Sequence, residues 1–470
     1  MTEANKIAVK EINPGDKNSN DLYQKREKIY QRHLTGLFQK LRVATIWVTL
    51  GIYFLGPWLT WDGRQAVLFD LPERKFYIFW FTFWPQDFLY LSWLLIIAAF
   101  ALFFVTVLAG RIWCGYTCPQ TVWTTFFMWI EYITEGDRNQ RIKLDAAPMS
   151  AQKFTKKFAK HGLWLALSFW TAFTFVAYFS PVRELWLDFF YFNISGWALF
   201  WLAFFTIATY TNAGWMREQV CMFMCPYARF QSVMFDKDTL IVTYDEARGE
   251  PRGSRKKSVE RDDTPLGDCI NCQMCVQVCP TGIDIRNGLQ YECIGCAACI
   301  DACDHIMEQM NYPKGLIRYS TETAIKGGKT HILRPRLIGY GVALLLMIVV
   351  FLSTVFSRIP LELDIIRDRN ALFRENWQGH IENTYTLKIM NKTQQAQEYT
   401  IKVDGLSDVI PHIPEDVETL PGELLSLAIT LEVKPENLTQ RNTTIYFTVQ
   451  SKNDPSQVVT EESRFLGPRR

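Results

Sequence analysis

Five uncharged runs dominate the 470-residue chain: Val43–Trp61, Phe88–Gly110, Gly162–Phe179, Phe189–Thr211 and Leu337–Phe356. Each approaches or exceeds the ~20 residues that cross a bilayer core as a helix. They predict a polytopic α-helical membrane protein with five spans. A mean hydropathy near zero hides this, because it averages apolar runs with charged ones. The aromatic share of 14% fits a protein with many interfacial Trp and Tyr side chains. Phe76–Trp84 is also apolar but too short to cross, and it reads as interfacial or re-entrant.

Lysine and arginine accumulate in cytoplasmic loops, and here they alternate from loop to loop. Lys25, Arg26, Lys28, Arg32, Lys40 and Arg42 precede the first run, and Arg111, Arg138, Arg141, Lys143, Lys153, Lys156, Lys157 and Lys160 lie between the second and third. After the first run come only Arg64, Arg74 and Lys75, offset by Asp62, Asp70, Glu73 and Asp87, and after the third only Arg183. The N-terminus and the segment before the fifth run are therefore expected inside, and the tail outside. The first 42 residues hold no apolar signal core, so the first span is expected to act as the insertion signal. A formal charge of +2 gives no hint of nucleic acid binding, since topology explains the basic clusters.

All twelve cysteines fall on the expected inner side or at its membrane edge. Thiolates and clusters persist in a reducing compartment, where disulfides are rare. Cys269, Cys272, Cys275 and Cys279 recur 24 residues later as Cys293, Cys296, Cys299 and Cys303, a two-fold repeat of C-x2-C-x2-C-x3-C. In two-cluster ferredoxins the first three cysteines of a run wrap one [4Fe-4S] cube and the fourth crosses to the other. One cluster is thus assigned Cys269, Cys272, Cys275 and Cys303, and the second Cys293, Cys296, Cys299 and Cys279. Pro280 follows the first run as that pattern expects; Asp304 in the matching place alters a turn and a charge, and bears on the second cluster's potential. Eight thiolates would also satisfy two tetrahedral zinc sites, but interlocked triplets are not the spacing of zinc ribbons.

Cys114-Gly-Tyr-Thr-Cys118-Pro119 and Cys221-Met-Phe-Met-Cys225-Pro226 form a second repeat, C-x3-C-P, at the inner ends of spans two and four. Residues i and i+4 share a helix face, and a following proline disfavours helix at the second sulfur. Two parallel units of this kind, packed about an axis along the membrane normal, would bring four thiolates to one depth. Such a site is soft and suits Cu(I), with Met216, Met222 and Met224 as nearby thioethers. The same residues could instead be small apolar packing groups, or a dithiol that forms a reversible disulfide.

No C-x-x-C-H and no G-x-G-x-x-G occur, so covalent haem and bound dinucleotides are unsupported and electrons must enter from a separate donor. Beyond Ile359 short β-rich runs appear, Tyr385–Met390, Tyr399–Val403, Leu424–Val433, Thr443–Gln450 and Val458–Phe465, separated by turn signals. They predict an antiparallel, immunoglobulin-like sandwich. The expected organisation is a polar arm (1–42, partly helical near Leu22–Phe38), a four-span domain with both C-x3-C-P motifs (43–236), a two-cluster ferredoxin-like cytoplasmic domain (237–336), a fifth helix (337–356) and the outer C-terminal β-sandwich (357–470).

Together these features resemble the CcoG family of cytochrome c oxidase accessory proteins, also called RdxA or FixG, from about Arg32 to the C-terminus. Cys114–Pro119, Cys221–Pro226 and Cys269–Pro280 carry the most specific likeness. The resemblance implies a bacterial inner-membrane protein with a periplasmic immunoglobulin-like domain, which reduces Cu(II) to Cu(I) for assembly of the cbb3-type oxidase. It makes Cys114, Cys118, Cys221 and Cys225 the catalytic copper site, and the eight ferredoxin cysteines its electron supply. The implied partners are a cytoplasmic electron donor and a copper transporter, chaperone or oxidase subunit. Two rival readings are a quinol dehydrogenase subunit of the NapH type, which lacks the outer β-domain, and a scaffold whose clusters only stabilise the fold.

Overall fold

The computed structural model describes residues 28–255, 265–393, 395–414, 417–438 and 440–468. Among them, three helices are long and apolar enough to cross a membrane: Leu37–Trp58, Pro85–Ala109 and Pro335–Phe356. The first comprises α1 (Leu37–Leu55) and a short 3-10 extension, and the second contains α2 (Phe88–Ala109). The run expected around Gly162 lies in α6 (Ala151–Val176), which is long but charged at its start by Lys153, Lys156, Lys157 and Lys160. The expected run Phe189–Thr211 is broken. Phe189 ends in α7 (Val182–Phe190), and α8 (Gly196–Thr209) starts afresh where the Ser195 hydroxyl accepts from the Ala198 N–H at 3.2 Å. Ala172, Phe173, Val176, Val182, Leu185 and Leu202 bury one another where these three helices meet.

Between α2 and α6 lie α3 (Ile112–Tyr116), α4 (Pro119–Glu135) and α5 (Arg138–Ala146). After α8 the chain continues as two π-helical segments, Tyr210–Met216 and Val220–Met224, then α9 (Pro226–Met234). The stretch Phe76–Trp84, expected to be interfacial or re-entrant, lies in a sheet: Val67–Asp70, Lys75–Ile78 and Phe81–Phe83 form a three-stranded antiparallel sheet. Alternating aromatic and β-branched residues there favour the pleated form.

The α1 helix begins six residues before its apolar run, and the reason is tertiary. Gly36 at its N-cap has no side chain to satisfy the first amides. Asp301, from the cysteine-bearing helix Ala298–Gln309, accepts the N–H of Phe38 at 3.2 Å and of Gln39 at 2.8 Å. A Cβ on Gly36 would sit 2.1 Å from the Asp301 carboxyl carbon, so only glycine fits. Asp301→Ala is expected to cost about 1 kcal/mol and to speed amide hydrogen exchange at Phe38 and Gln39, whereas Asp301→Asn keeps an acceptor and most of the protection. Residues 22–27 of the expected arm helix lie outside the described residues, and 28–35 run without regular structure along the cysteine loops. There the Arg32 N–H donates to the Gln277 carbonyl at 2.8 Å and the Gln31 amide to the Val278 carbonyl at 2.7 Å.

The C-terminal segment is a sandwich of two antiparallel sheets. One orders Ile410–His412, Leu424–Val433, Ile381–Asn391 and Leu361–Arg367, with Arg374–Glu375 also on Ile381–Asn391; the other orders Val417–Thr419, Gln397–Asp404, Asn442–Ser451 and Val458–Leu466. All five expected β-runs are strands, and the core between the sheets is apolar, with Tyr385, Leu387, Ile389, Phe447 and Phe465 fully buried. Buried Asp87, just before α2, ties this domain to the helices: it meets Arg358 at 2.6 Å and Lys392 at 3.2 Å.

Candidate metal centres

The 24-residue repeat is also a repeat of backbone shape. Asn271 and Gln273 flank Cys272 with φ of +51° and +57°, and Gly295 and Ala297 flank Cys296 with +67° and +57°. Left-handed residues interleaved in this way turn successive amides toward one concavity, a geometry that accommodates anionic sulfur. Non-glycine side chains pay about 1–2 kcal/mol for this conformation, so the loop shape must be held by its surroundings.

Each loop borders a small cradle. Cys269, Cys272, Cys275 and Cys303 line the first, together with Tyr244 and Arg286. Cys279, Cys293, Cys296 and Cys299 line the second, with Cys275 on the wall between them. The fourth cysteine of each run thus lies in the other run's cradle. Burial pushes the thiols of Cys275, Cys293 and Cys303 up to about 12 and that of Cys299 well above its ordinary value. Without metal these groups stay protonated, and iron would displace the protons. Among the described residues no three His, Cys, Asp or Glu side chains converge for a single mononuclear ion. Four thiols spread around each cradle fit the wider span of a [4Fe-4S] cube, so the donor set and the space suit two such clusters.

Asp304 acts elsewhere than expected. Its carboxylate accepts the Gly315 N–H at 2.9 Å, and its charge raises the thiol of Cys303, which lines the first cradle. The turn change is real: with Pro280 the first run's helix stops at Met274–Gln277, while Asp304 lets Ala298–Gln309 continue.

In both C-x3-C-P copies the helix breaks at the second cysteine. Cys118 and Cys225 are extended N-caps, with ψ of 127° and 110°, and the following proline starts α4 or α9. Each second cysteine donates its N–H five residues back, Cys118 to Trp113 at 2.9 Å and Cys225 to Val220 at 2.8 Å. Such π-type turns recur at functional sites. Cys114, Cys118, Cys221 and Cys225 feel one another's charge, although among the described residues they do not converge as ligands of a single ion: burial raises Cys114 to about 11 and Cys221 to about 12, and charge on Cys118 and Cys225 would raise both further. Of the three methionines, Met224 is 56% exposed and points away from a buried thioether role.

Two residues beyond the cysteines, Gly115 and Arg111, join these motifs to the cradles, and two more, Gln231 and Arg286, each brace one of them. Gly115 touches the second cradle directly, since a Cβ there would lie 2.8 Å from the Cys296 Cα and 2.9 Å from its N. Arg111, read from sequence only as a topological charge, is buried and donates to the carbonyls of Tyr291 and Ala228 at 2.5 Å each. Fully buried Gln231 accepts from the Cys114 thiol at 3.3 Å. Arg286 donates to Asn271 at 2.7 Å and its charge lowers the neighbouring Cys275 thiol against the larger effect of burial. The signal that could have found Arg111 is its place three residues before Cys114 at a membrane edge, where a buried charge needs carbonyl partners.

The chain matches the 4Fe-4S dicluster domain family over residues 216–322 and a 4Fe-4S binding domain family over 91–132, the latter taking in Cys114 and Cys118. Residues 351–468 match the family described as the IG-like fold at the C-terminal of FixG. The chain is 36% identical to nitrogen fixation protein FixG of Rhizobium meliloti, over 89% of this chain and 86% of that protein. Protein RdxB of Cereibacter sphaeroides is 40% identical over 87% and 89% of the two chains, and protein RdxA of the same organism 38% over 84% and 86%. The crystal structure of a FixG-related protein from Vibrio parahaemolyticus is 42% identical, covers 23% of this chain and 95% of that one, and superposes with a TM-score of 0.21.

Proposed function

The chain belongs to the FixG/RdxA family and is a membrane-associated iron–sulfur electron-transfer protein, and from that premise we propose that it reduces Cu(II) to Cu(I) at the two C-x3-C-P motifs for assembly of a cbb3-type oxidase. Cys269, Cys272, Cys275 and Cys303 would hold one cluster, and Cys293, Cys296, Cys299 and Cys279 the other. When bound, the clusters supply one-electron storage. The residues of the chain then set the route. Gly115 lets the first cysteine pair abut the backbone at Cys296, and this contact is the observation that carries the reading. Arg111 links the loop that precedes Cys114 to the Tyr291 carbonyl before Cys293. Cys114, Cys118, Cys221 and Cys225 offer soft donors that favour the cuprous ion, which makes acceptance of an electron by Cu(II) there more favourable.

In this reading five helices cross the inner membrane, α1, α2, α6, α8 and Pro335–Phe356, with the cysteine loops in the cytoplasm and the sandwich in the periplasm. The alternating basic loops support that orientation. Copper would be exchanged with a transporter, a chaperone or the oxidase itself. Cys114→Ser or Cys221→Ser is expected to abolish copper binding in anaerobically purified protein while iron, sulfide and the cluster EPR signals stay at wild-type levels. Loss of the cluster signals with copper retained would overturn the assignment.

A further inference from the structure

A cavity of about 520 Å3 lies between the arm, α1, α4 and the cysteine loops. Its volume is that of a small-molecule site. One end is polar, bordered by Arg32, His33 and Gln39, and the other is apolar, bordered by Val43, Trp47 and Trp129. The apolar end faces outward: Trp47, 61% exposed, stands on a helix long and apolar enough to cross a membrane, and Trp129 of α4 is 47% exposed beside it. The polar end meets the cysteine loops. Ala298 is a wall of this cavity and also of the second cradle, and Val278 beside Cys279 is another wall. His33 is held there by its backbone N–H, which donates to the Asp137 carboxylate at 3.0 Å, and by its ring, stacked 4.4 Å from Tyr132.

We propose that this cavity binds an isoprenoid hydroquinone as the electron donor, with the ring at the polar end against Ala298 and the tail toward the bilayer. The proposal rests on the electron-transfer reading above. A lipid-soluble donor explains the polarity gradient, and a one-residue wall explains why the cavity sits beside a cluster cradle rather than elsewhere on the membrane face. A plain acyl chain would need neither the imidazole nor the shared wall. In the reaction both O–H bonds of the hydroquinone break, the product is the quinone, and two electrons pass singly, one to each cluster. The two protons leave to water, and the His33 imidazole lines the polar end through which they must pass.

The full chain, purified anaerobically with its clusters into nanodiscs of defined phospholipid, tests this with decylubiquinone. Trp47 and Trp129 line the cavity, so bound quinone should quench tryptophan fluorescence saturably. Ala44→Phe, which fills the cavity from an exposed α1 position, should weaken that binding at least about tenfold, and Gln39→Leu should weaken it less. Decylubiquinol should bleach the cluster absorbance of the wild type but not of Ala44→Phe, while dithionite bleaches both. Quenching that never saturates, or is equal in wild type and Ala44→Phe, would overturn the proposal, as would full quinol bleaching in that variant. Failure of dithionite to bleach the wild type would strike the electron-transfer reading instead, and the quenching titration would still decide the cavity.

Discussion

Gly115→Ala is expected to slow electron delivery from the clusters to copper by about tenfold or more, equivalent to at least ~1.4 kcal/mol on the barrier, with all twelve cysteines still in place. The added methyl would lie 2.8 Å from the Cys296 Cα, 2.9 Å from its N and 3.0 Å from the Gly295 carbonyl carbon. These are backbone atoms, so no rotamer change relieves the overlap. Gly295 cannot yield on its side, because its own Cβ position lies 3.2 Å from the Arg111 carbonyl group. The loop and α3 must separate, at an overpacking cost of about 1–3 kcal/mol. Stopped-flow reoxidation of dithionite-reduced protein by Cu(II) reads the effect, and Gly115→Val should be worse than alanine. Gly51→Ala and Gly162→Ala meet nothing within 4 Å and should leave the rate unchanged. Equal rates in Gly115→Ala and wild type would mean that this contact is not on the electron route.

Glu131→Ala should destabilise the membrane domain by about 3–5 kcal/mol, the usual cost of leaving buried charge without its partner. Glu131 is 1% exposed on α4 and receives Arg217 at 2.7 Å and Arg141 at 2.8 Å, with Lys160 at 3.7 Å. Burial raises its pKa, but Arg217, Arg141 and Lys160 outweigh this and hold the carboxyl below its ordinary value. A depressed folded pKa contributes stability that is present above the unfolded pKa and lost as pH falls through the folded one. Acid should therefore mimic the mutation, and the thermal midpoint of the wild type should fall toward that of Glu131→Ala as the pH drops below about 4.5. Arg217 stands four residues before Cys221 at a φ of +47°. Freeing it should also loosen the second cysteine pair and weaken copper binding. The exposed pair Lys326–Glu322 is the control, since breaking it should shift stability by less than about 1 kcal/mol.

Much of this was legible in the chain because local chemistry carries it. Thiols at three-residue spacing can turn inward around one centre, and the strand runs of the tail alternate apolar and polar with period two. The segments that misled are those in which neighbours override composition. Phe76–Trp84 shows only an apolar stretch too short to cross, and cross-strand pairing makes it a sheet. The run from Phe189 to Thr211 reads as one span, yet Asn193 and the Ser195 cap divide it. Glu131 and Glu135 sit toward the end of α4, and nothing within that helix announces that Arg141, Arg217, Lys157 and Lys160 converge on them.

Spacing along the chain thus marked which thiols are candidate metal ligands and which segments are apolar, since both depend on residues close in sequence. Which centre touches which was decided only by folding. Asp301 capping a helix 263 residues away, Gly115 against Cys296, and Ala298 shared between a cradle and a cavity all depend on close approach of distant backbone. Such contacts leave no periodicity behind, because a glycine or an alanine at a crossing is, in one dimension, merely a small residue.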